Sequence, residues 1–189
     1  MATSSVQLAE TRVEDLAEAV RRVVDGDAAA FRQIVRATSG RLVRLAARLV
    51  GNLEDGEDVV QEAYVKAHEA MVSGGFDGRS RVETWLYRIV TNTAIDALRS
   101  GKRREKPADT MPDVGWDGAA AAEARLALGE LDAVMSTLPV DQRAALVLKS
   151  VEGLSGPEIA QILGITEGAV EQRLVRARAT LKEWRASRE

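Results

Sequence analysis

Residues 156–184 read GPEIAQILGITEGAVEQRLVRARATLKEW, a pattern that predicts two helices joined by a tight turn. Ser155 lies three residues before Glu158, which is the spacing of a capping box, so we expect the first helix to begin there. Gly164 stands where that helix must end in a turn of positive φ, and Thr166 is placed to cap the second helix. The stretch is therefore predicted to form a helix-turn-helix.

The second helix of this pair has two unlike sides. Val170, Leu174, Ala177 and Leu181 recur at helical spacing and are expected to pack inward. The other side is mostly polar and basic, and its side chains can reach base edges and phosphates of DNA: Glu171, Gln172, Arg173, Val175, Arg176 and Arg178. A basic helical hairpin also occurs in bundles that never meet DNA, so this segment alone leaves both interpretations open.

The composition predicts an all-α fold without metal or cofactor. Only 4% of the 189 residues are aromatic, and Ala, Leu, Arg and Glu are frequent, which favours helices over strands. The chain has no cysteine and one histidine, which excludes disulfides, thiolate catalysis and cysteine-ligated or histidine-ligated metal clusters. No secretory signal and no apolar run of about 18 residues is visible, so we expect a cytoplasmic protein without membrane insertion.

Charge is clustered along the chain although the net charge is only -3. Residues 32–48 contain five arginines and no acid, residues 54–62 contain five acids and no base, and residues 79–104 are again mainly basic. Separate acidic and basic surfaces indicate two different partners. Alternation of charge between helices for solubility would also produce such blocks.

The periodicity predicts two small helical domains joined by a flexible linker. Helical patterns cover 13–24, 28–50, about 54–71, 81–100, 119–137 and 141–151, and the glycine-rich stretch VSGGFDGRS at 72–80 is predicted to be a loop. Residues 101–118 contain prolines and no sustained periodicity. The predicted organisation is an N-terminal extension (1–25), a first domain (26–100), a linker (101–128) and a helix-turn-helix domain (129–189).

Three stretches taken together resemble bacterial sigma factors of the extracytoplasmic-function (ECF) group. They are EDVVQEAYVKAHEA at 57–70, FDGRSRVETWLYRIVTNTAIDALR at 76–99 and LPVDQRAALVLKSVEGLSGPEIAQILGITEGAVEQRLVRARATL at 138–181. The resemblance covers about residues 26–184. It implies a protein that is not an enzyme by itself, binds core RNA polymerase and directs it to promoter DNA. It implies no small-molecule substrate.

The acidic helix carries the D-x-x-Q pattern that, in this family, docks on a coiled coil of the polymerase's largest subunit, with the polymerase flap as a further contact. The pattern maps to Asp58, Gln61 and Glu62. Carboxylates there supply long-range steering, and the amide supplies directional hydrogen bonds. The earlier acids also complement the dipole at the start of the helix, and the two roles are compatible.

The glycine-rich loop and the helix after it correspond to the part of the family that opens the promoter −10 element. A protein without ATP must stabilise the separated strand by pocketing an extruded base and gripping its phosphates. The resemblance assigns this role to Phe76, Arg79, Arg81, Arg88, Asn92, Arg99, Lys102 and Arg103. Trp85 and Tyr87 invite a stacking role, but the spacing of Trp85 is more typical of a core residue.

In the last domain the resemblance places the second helix in the major groove of the −35 element. The six outward side chains given above would face bases or the DNA backbone. Glu171 and Gln172 depart from the family, which commonly has a basic residue and a serine there. A carboxylate accepts from a cytosine amine and glutamine suits adenine, so we expect an altered −35 sequence. His68 stands where a large aromatic side chain is usual.

Two other classes of function remain as alternatives. The chain would be a stand-alone helix-turn-helix regulator if it bound duplex DNA as a dimer without polymerase. An enzyme has little support, because no glycine-rich phosphate loop and no nucleophile paired with a base is visible, and no catalytic residue is predicted. The resemblance also implies an anti-sigma factor as a regulatory partner, which would cover the acidic helix and the DNA-reading helix together.

Overall fold

The computed structural model describes residues 16–78, 80–100 and 133–187, and every regular element within them is an α-helix. A first unit comprises helical residues 16–24 (α1), Ala28–Val50 (α2), Leu53–Val72 (α3) and Val82–Arg99 (α4). A second unit comprises helical residues 133–137 (α5), Val140–Ser150 (α6), Gly156–Leu163 (α7) and Glu167–Ala186 (α8). The all-α prediction is confirmed. None of the helices described here combines the length and the apolar composition that a membrane span requires.

Local capping explains where the helices of the first unit begin and end. The Asp27 side chain accepts hydrogen bonds from the backbone of the first turn and starts α2, and Gly51, at φ 95°, ends it. Asn52 then accepts from the backbone N–H of Asp55 at 2.8 Å and starts α3. Because these signals are local, the sequence predicted the bounds of α2 and placed those of α3 and α4 within one residue.

Helices α2 and α3 approach each other closely. A side chain added at Gly56 would place its Cβ 2.7 Å from the backbone nitrogen of Ala47, so only glycine fits at this crossing. Nearby, the hydroxyl groups of Thr38 and Tyr64 lie 2.7 Å apart, and the Thr38 hydroxyl also bonds to the carbonyl of Ile34. The crossing therefore combines backbone contact with a satisfied polar pair.

The second unit packs on the first through α6 and α7. Residues 143–148 are six consecutive buried positions, a pattern that a helix shows only when neighbours cover it on every side. Helices α7 and α8 of its own unit cover one part of α6, and α2 and α4 of the first unit cover the other. The sequence predicted two joined domains, but it did not predict that they pack against each other.

Candidate functional site

The outer side of α3 presents the predicted polymerase-binding residues together. Asp58, Gln61 and Glu62 are all exposed and, at spacings of three and four, share one face of the helix. Glu62 forms an ion pair with Lys66 at 2.7 Å, and Val65, 58% exposed, extends the same face by a turn. We call the set Asp58, Gln61, Glu62 and Val65 the α3 face.

Side-chain contacts near α3 show what Asp55 and His68 do in the fold. The Asp55 carboxylate accepts from the side-chain amide of Asn52 at 2.7 Å, so this early acid completes the helix cap. The His68 ring lies 5.0 Å from the Phe31 ring in an edge-to-face arrangement, and Tyr64 meets the same ring at 6.0 Å. His68 is therefore packed against an aromatic ring of α2.

The loop between α3 and α4 turns at two glycines. Gly74 and Gly78 have φ of 78° and 70°, which side chains disfavour. Phe76 is half-buried between these turns, and its ring lies 4.9 Å from that of Trp85, which is buried in the core as its spacing predicted. Arg79, also predicted for this site, lies outside the described residues, as do Lys102 and Arg103.

Four of the predicted strand-binding residues form a stripe along α4, with Arg81 at its N-cap. Arg81, Arg88, Asn92 and Arg99 are all exposed and recur at spacings of seven, four and seven, which places them on one side of the helix. We call this set the α4 stripe. The three cations complement the negative charge of a nucleic-acid backbone, and the amide can bond to the edge of a base. The exposed Asp96 lies between Asn92 and Arg99 on the same side. Arg99 is engaged in the free protein, because it donates to Asp141 at 3.1 Å.

The helix-turn-helix forms as predicted. Ser155 and Glu158 make the reciprocal capping box that begins α7, with the backbone N–H of Ser155 donating to the carboxylate at 2.8 Å. The hydrogen bond from the Ser155 hydroxyl, with that from its backbone, lowers the pKa of Glu158. Gly164 turns at φ 65°, and Thr166 accepts from the backbone of the first turn of α8 at 3.2 Å. The turn thus sets the angle at which α8 projects.

Helix α8 separates its buried and exposed residues as the sequence indicated. Val170, Leu174 and Ala177 are buried. Five of the six predicted DNA-contacting residues are exposed together, and we call them the α8 face: Glu171, Gln172, Val175, Arg176 and Arg178. The sixth, Arg173, is half-buried and turned toward Asp141, whose carboxylate lies 3.5 Å away.

Sequence reasoning missed two polar residues between the units, Arg143 and Glu152, and Tyr87, for which stacking was considered, is buried at 4% exposure. Arg143 is buried and donates to the carbonyl of Leu49 at the end of α2, at 2.7 Å. Glu152 accepts from the Tyr87 hydroxyl at 2.7 Å, and burial together with this bond raises the pKa of Tyr87. The one available signal was Arg143 itself, a cation that opens the apolar run AALVL of α6.

Within the described ranges, no three or more Asp, Glu or His side chains are grouped to hold a metal ion. The structure presents three surfaces suited to recognition. They are the acidic α3 face, the basic α4 stripe and the mixed α8 face of the helix-turn-helix. The first two lie on the first unit and the third on the second unit.

Comparison with known proteins agrees with this arrangement. The family description "Sigma-70 region 2" matches residues 34–104, and "Sigma-70, region 4" matches residues 128–181. The ECF RNA polymerase sigma factor SigM of Mycobacterium tuberculosis is 38% identical over 165 residues, which cover 87% of this chain and 82% of SigM. The chain belongs to the ECF group of RNA polymerase sigma factors. The alternative, a stand-alone helix-turn-helix regulator that binds duplex DNA without polymerase, is therefore not favoured.

Solved structures show the same fold. The structure of CnrH in complex with the cytosolic domain of CnrY superposes with a TM-score of 0.66 at 31% identity, covering 90% of this chain and 97% of that one. RpoE of Bartonella quintana, solved in complex with the anti-sigma factor NepR, gives a TM-score of 0.63 at 24% identity over 81% of this chain and 94% of that one. As an ECF sigma factor, the protein directs promoter recognition and transcription initiation.

Proposed function

We propose that the sigma factor divides its task among three surfaces: the α3 face binds core RNA polymerase, the α4 stripe holds the melted −10 strand, and the α8 face reads the −35 duplex. One observation supports this most directly. Twelve of the described residues that the resemblance assigned to the three partners lie exposed on α3, on α4 with its N-cap, or on α8, while Phe76 and Arg173 are half-buried. Surfaces of such different charge suit different partners.

The α3 face has the composition of a protein-binding surface. Asp58 and Glu62 give it a negative field that accelerates encounter with a basic partner, and Gln61 between them can both donate and accept. Val65 adds an exposed apolar contact at its border. This combination fits a basic coiled coil of the polymerase's largest subunit better than it fits DNA, which the carboxylates would repel.

The α4 stripe and the adjoining loop suit single-stranded DNA. The arginines neutralise phosphates, Asn92 can bond to a base edge, and Phe76 offers a half-buried ring beside the loop. Trp85 is excluded from stacking because it is 5% exposed. Arg79, Lys102 and Arg103 remain part of this proposal on the basis of the sequence.

The α8 face predicts an unusual −35 element. Gln172, Val175 and Arg176 share one side of the helix, where glutamine would read adenine, arginine would read guanine and the 63% exposed valine would meet a thymine methyl group. Glu171 on the flank would accept from a cytosine amine and repel an exposed phosphate. We expect the preferred sequence to contain these bases.

We also propose an anti-sigma factor as a partner. The related RpoE fold was solved with the anti-sigma factor NepR. A protein that covered the α3 face and the α8 face would block polymerase and −35 binding at once. Its contacts would include a basic segment that complements Asp58 and Glu62.

The polymerase surface is tested by Asp58→Ala. We expect about a tenfold weaker affinity for core polymerase, near 1.4 kcal/mol, because a steering and hydrogen-bonding carboxylate is lost. Asp25→Ala is the matched control, since Asp25 is an exposed acid of the same unit outside the α3 face. Affinity is measured by fluorescence anisotropy, and helicity by circular dichroism confirms folding. Equal affinities for the two variants would contradict the assignment of the α3 face.

A further inference from the structure

The arginines of α2 have no role in the three surfaces above. Residues 28–50 contain five arginines and no aspartate or glutamate. Four of these arginines and one glycine recur at every fourth residue, and we call this row the α2 ridge: Arg32, Arg36, Gly40, Arg44 and Arg48. Residues four apart are neighbours on a helix surface, so the row forms one continuous ridge about 24 Å long.

The ridge runs along the solvent side of α2 between two rows that are packed on other helices. On one side, Phe31 meets aromatic rings of α3, and Ala47 faces the glycine at the crossing with α3. On the other side, Arg41 lies over the Tyr87 ring of α4 and the carbonyl of Leu49 accepts from α6. The first four members of the ridge are exposed, and the last is half-buried. The fold therefore presents the ridge outward.

The guanidinium groups of the ridge have no acidic partners within residues 16–78, 80–100 and 133–187. None of the four arginines forms an ion pair there, and Arg48 donates only to the carbonyl of Arg44, at 3.4 Å. Arg41 of the same helix, by contrast, pairs with Glu152, and Arg21 of α1 pairs with Glu18. Like charges four residues apart repel each other, so a bound anion would relieve this repulsion.

Gly40, at the centre of the ridge, has no structural reason to be glycine. Its φ is not positive, and among the described residues a Cβ there would meet only Nη1 of Arg44, at 3.6 Å. Glycine weakens the interior of a helix relative to alanine, so this position lowers helix stability without providing a turn or a close crossing. Glycine also lets a ligand approach the backbone closely, and this is the use that fits an exposed position between arginines.

The composition of the ridge indicates which partner it suits. Protein interfaces are anchored by apolar and aromatic side chains, but none of the large apolar residues exposed in the described parts of the chain lies on α2. Single-stranded nucleic acid is held by stacking on aromatic rings, and Phe31, the one aromatic residue of α2, is half-buried against α3. Guanidinium groups without such anchors match a duplex, whose bases are stacked inside and whose phosphates are regularly spaced.

The spacing of the ridge also fits a duplex. Arg36 and Arg44, on either side of Gly40, are about 12 Å apart along the helix axis. The major groove of B-DNA is about 12 Å wide. The two arginines can therefore reach phosphates on both edges of one groove while the helix backbone at Gly40 lies between them.

We propose that the α2 ridge binds the phosphate backbone of duplex DNA without reading its sequence. The ridge is separate from the α3 face, the α4 stripe and the α8 face, and its binding does not depend on their assignment. Release of counterions from the DNA drives the contact, so the contact weakens steeply as the salt concentration rises. The ridge adds affinity for duplex DNA outside the −10 and −35 elements.

Binding is tested with the full chain and a fluorescein-labelled duplex of about 20 base pairs that lacks promoter elements, by fluorescence anisotropy at about 50 to 200 mM salt. We expect Arg36→Gln and Arg44→Gln each to weaken binding about threefold, and the double variant about tenfold, with the salt slope lowered by about one for each arginine removed. Arg21→Gln is the matched control, an exposed arginine of the same unit outside the ridge, and should stay close to the unaltered chain. Helicity by circular dichroism checks folding.

Gly40→Gln separates close approach from charge. Glutamine is a better helix former than glycine, so the urea midpoint should rise. Its side chain would stand between the helix and the phosphates, so the duplex affinity should fall about threefold although the charge is unchanged. Full duplex affinity in Gly40→Gln would overturn the close approach of the DNA to the helix backbone.

Three results would overturn the α2 ridge as a duplex-binding surface. The first is an unaltered chain that does not bind the duplex at about 50 mM salt. The second is an equal loss of affinity in Arg36→Gln and Arg21→Gln, which would show that only the overall charge matters. The third is a double variant that keeps its duplex affinity but binds core polymerase or a single strand of the same length less tightly, which would assign the ridge to that partner. The α3 face is decided separately by Asp58→Ala.

Discussion

Arg176 and Arg178 are both exposed on α8, but their positions predict different contacts. Arg176 lies one turn after Gln172 on the outer side, whereas Arg178 lies on the flank seven residues after Glu171. We expect Arg176→Ala to cost about 1–3 kcal/mol at one base position and to relax specificity there. Arg178→Ala should weaken all −35 sequences alike and lower the salt slope by about one.

A −35 library in which each position is randomised separates these two outcomes when it is transcribed by each variant holoenzyme. The ratio of Arg176→Ala to wild-type activity should vary with the base at one or two positions. The same ratio for Arg178→Ala should be flat across the library. A flat profile for both variants would show that Arg176 contacts only the backbone.

Exposure of individual residues was predictable where helical periodicity determines it, as for Asp58 and Arg176. Partners were not. Glu152 bonds to Tyr87 and Arg41, which lie 65 and 111 residues away along the chain, and a lone acid in a turn gives no indication of such contacts. Arg99 likewise matched a phosphate contact by pattern, and its ion pair with Asp141 became visible only in the structure.

We expect substitution by alanine to have opposite effects on stability at two glycines, Gly56 in α3 and Gly40 in α2. Gly56→Ala would force a Cβ to within 2.7 Å of the Ala47 backbone, and we expect a loss of about 1–3 kcal/mol in the free energy of unfolding. Gly40 lies inside α2 with only a flexible arginine tip within 4 Å, at 3.6 Å. Gly40→Ala should therefore stabilise the protein by about 0.5–1 kcal/mol through helix propensity.

The free energy of unfolding of both variants is measured by urea denaturation, with circular dichroism as the signal. Because one change adds a clash and the other removes backbone freedom from the unfolded chain, the two midpoints should move in opposite directions from wild type. A stabilised Gly56→Ala variant would mean that α2 and α3 do not touch at this crossing.

Helix ends were predictable to about one residue because capping acts within a turn, as at Asp27, Asn52 and Ser155. The burial of α6 was not predictable. Its sequence VDQRAALVLKS is compatible with a helix packed on one side, and only contact with α2 and α4 buries all of residues 143–148. Periodicity describes one helix at a time, whereas burial on several sides depends on which units meet.

For the whole molecule, the contacts between the units predict coupled unfolding. Arg143 of the second unit donates to the α2 carbonyl of Leu49 from a buried position, so separating the units leaves polar groups that water must satisfy. Leu174, 7% exposed, lies in the core of the second unit, and Leu174→Ala should cost about 2–5 kcal/mol. If the two units unfold together, Leu174→Ala must lower the free energy of unfolding measured in the first unit by the same amount.

Trp85 is the one tryptophan left when Trp116 and Trp184 are replaced by phenylalanine, and its fluorescence follows the core of the first unit and the cleft that this unit forms with α7. In that background, Leu174→Ala should shift the midpoint of the Trp85 fluorescence transition in urea as far as it shifts the total helicity. Adding Glu152→Gln and Asp141→Asn should return the Trp85 midpoint toward its original value, because the units then unfold separately. If Leu174→Ala leaves the Trp85 midpoint unchanged while Glu152 and Asp141 are intact, the two units touch without stabilising each other.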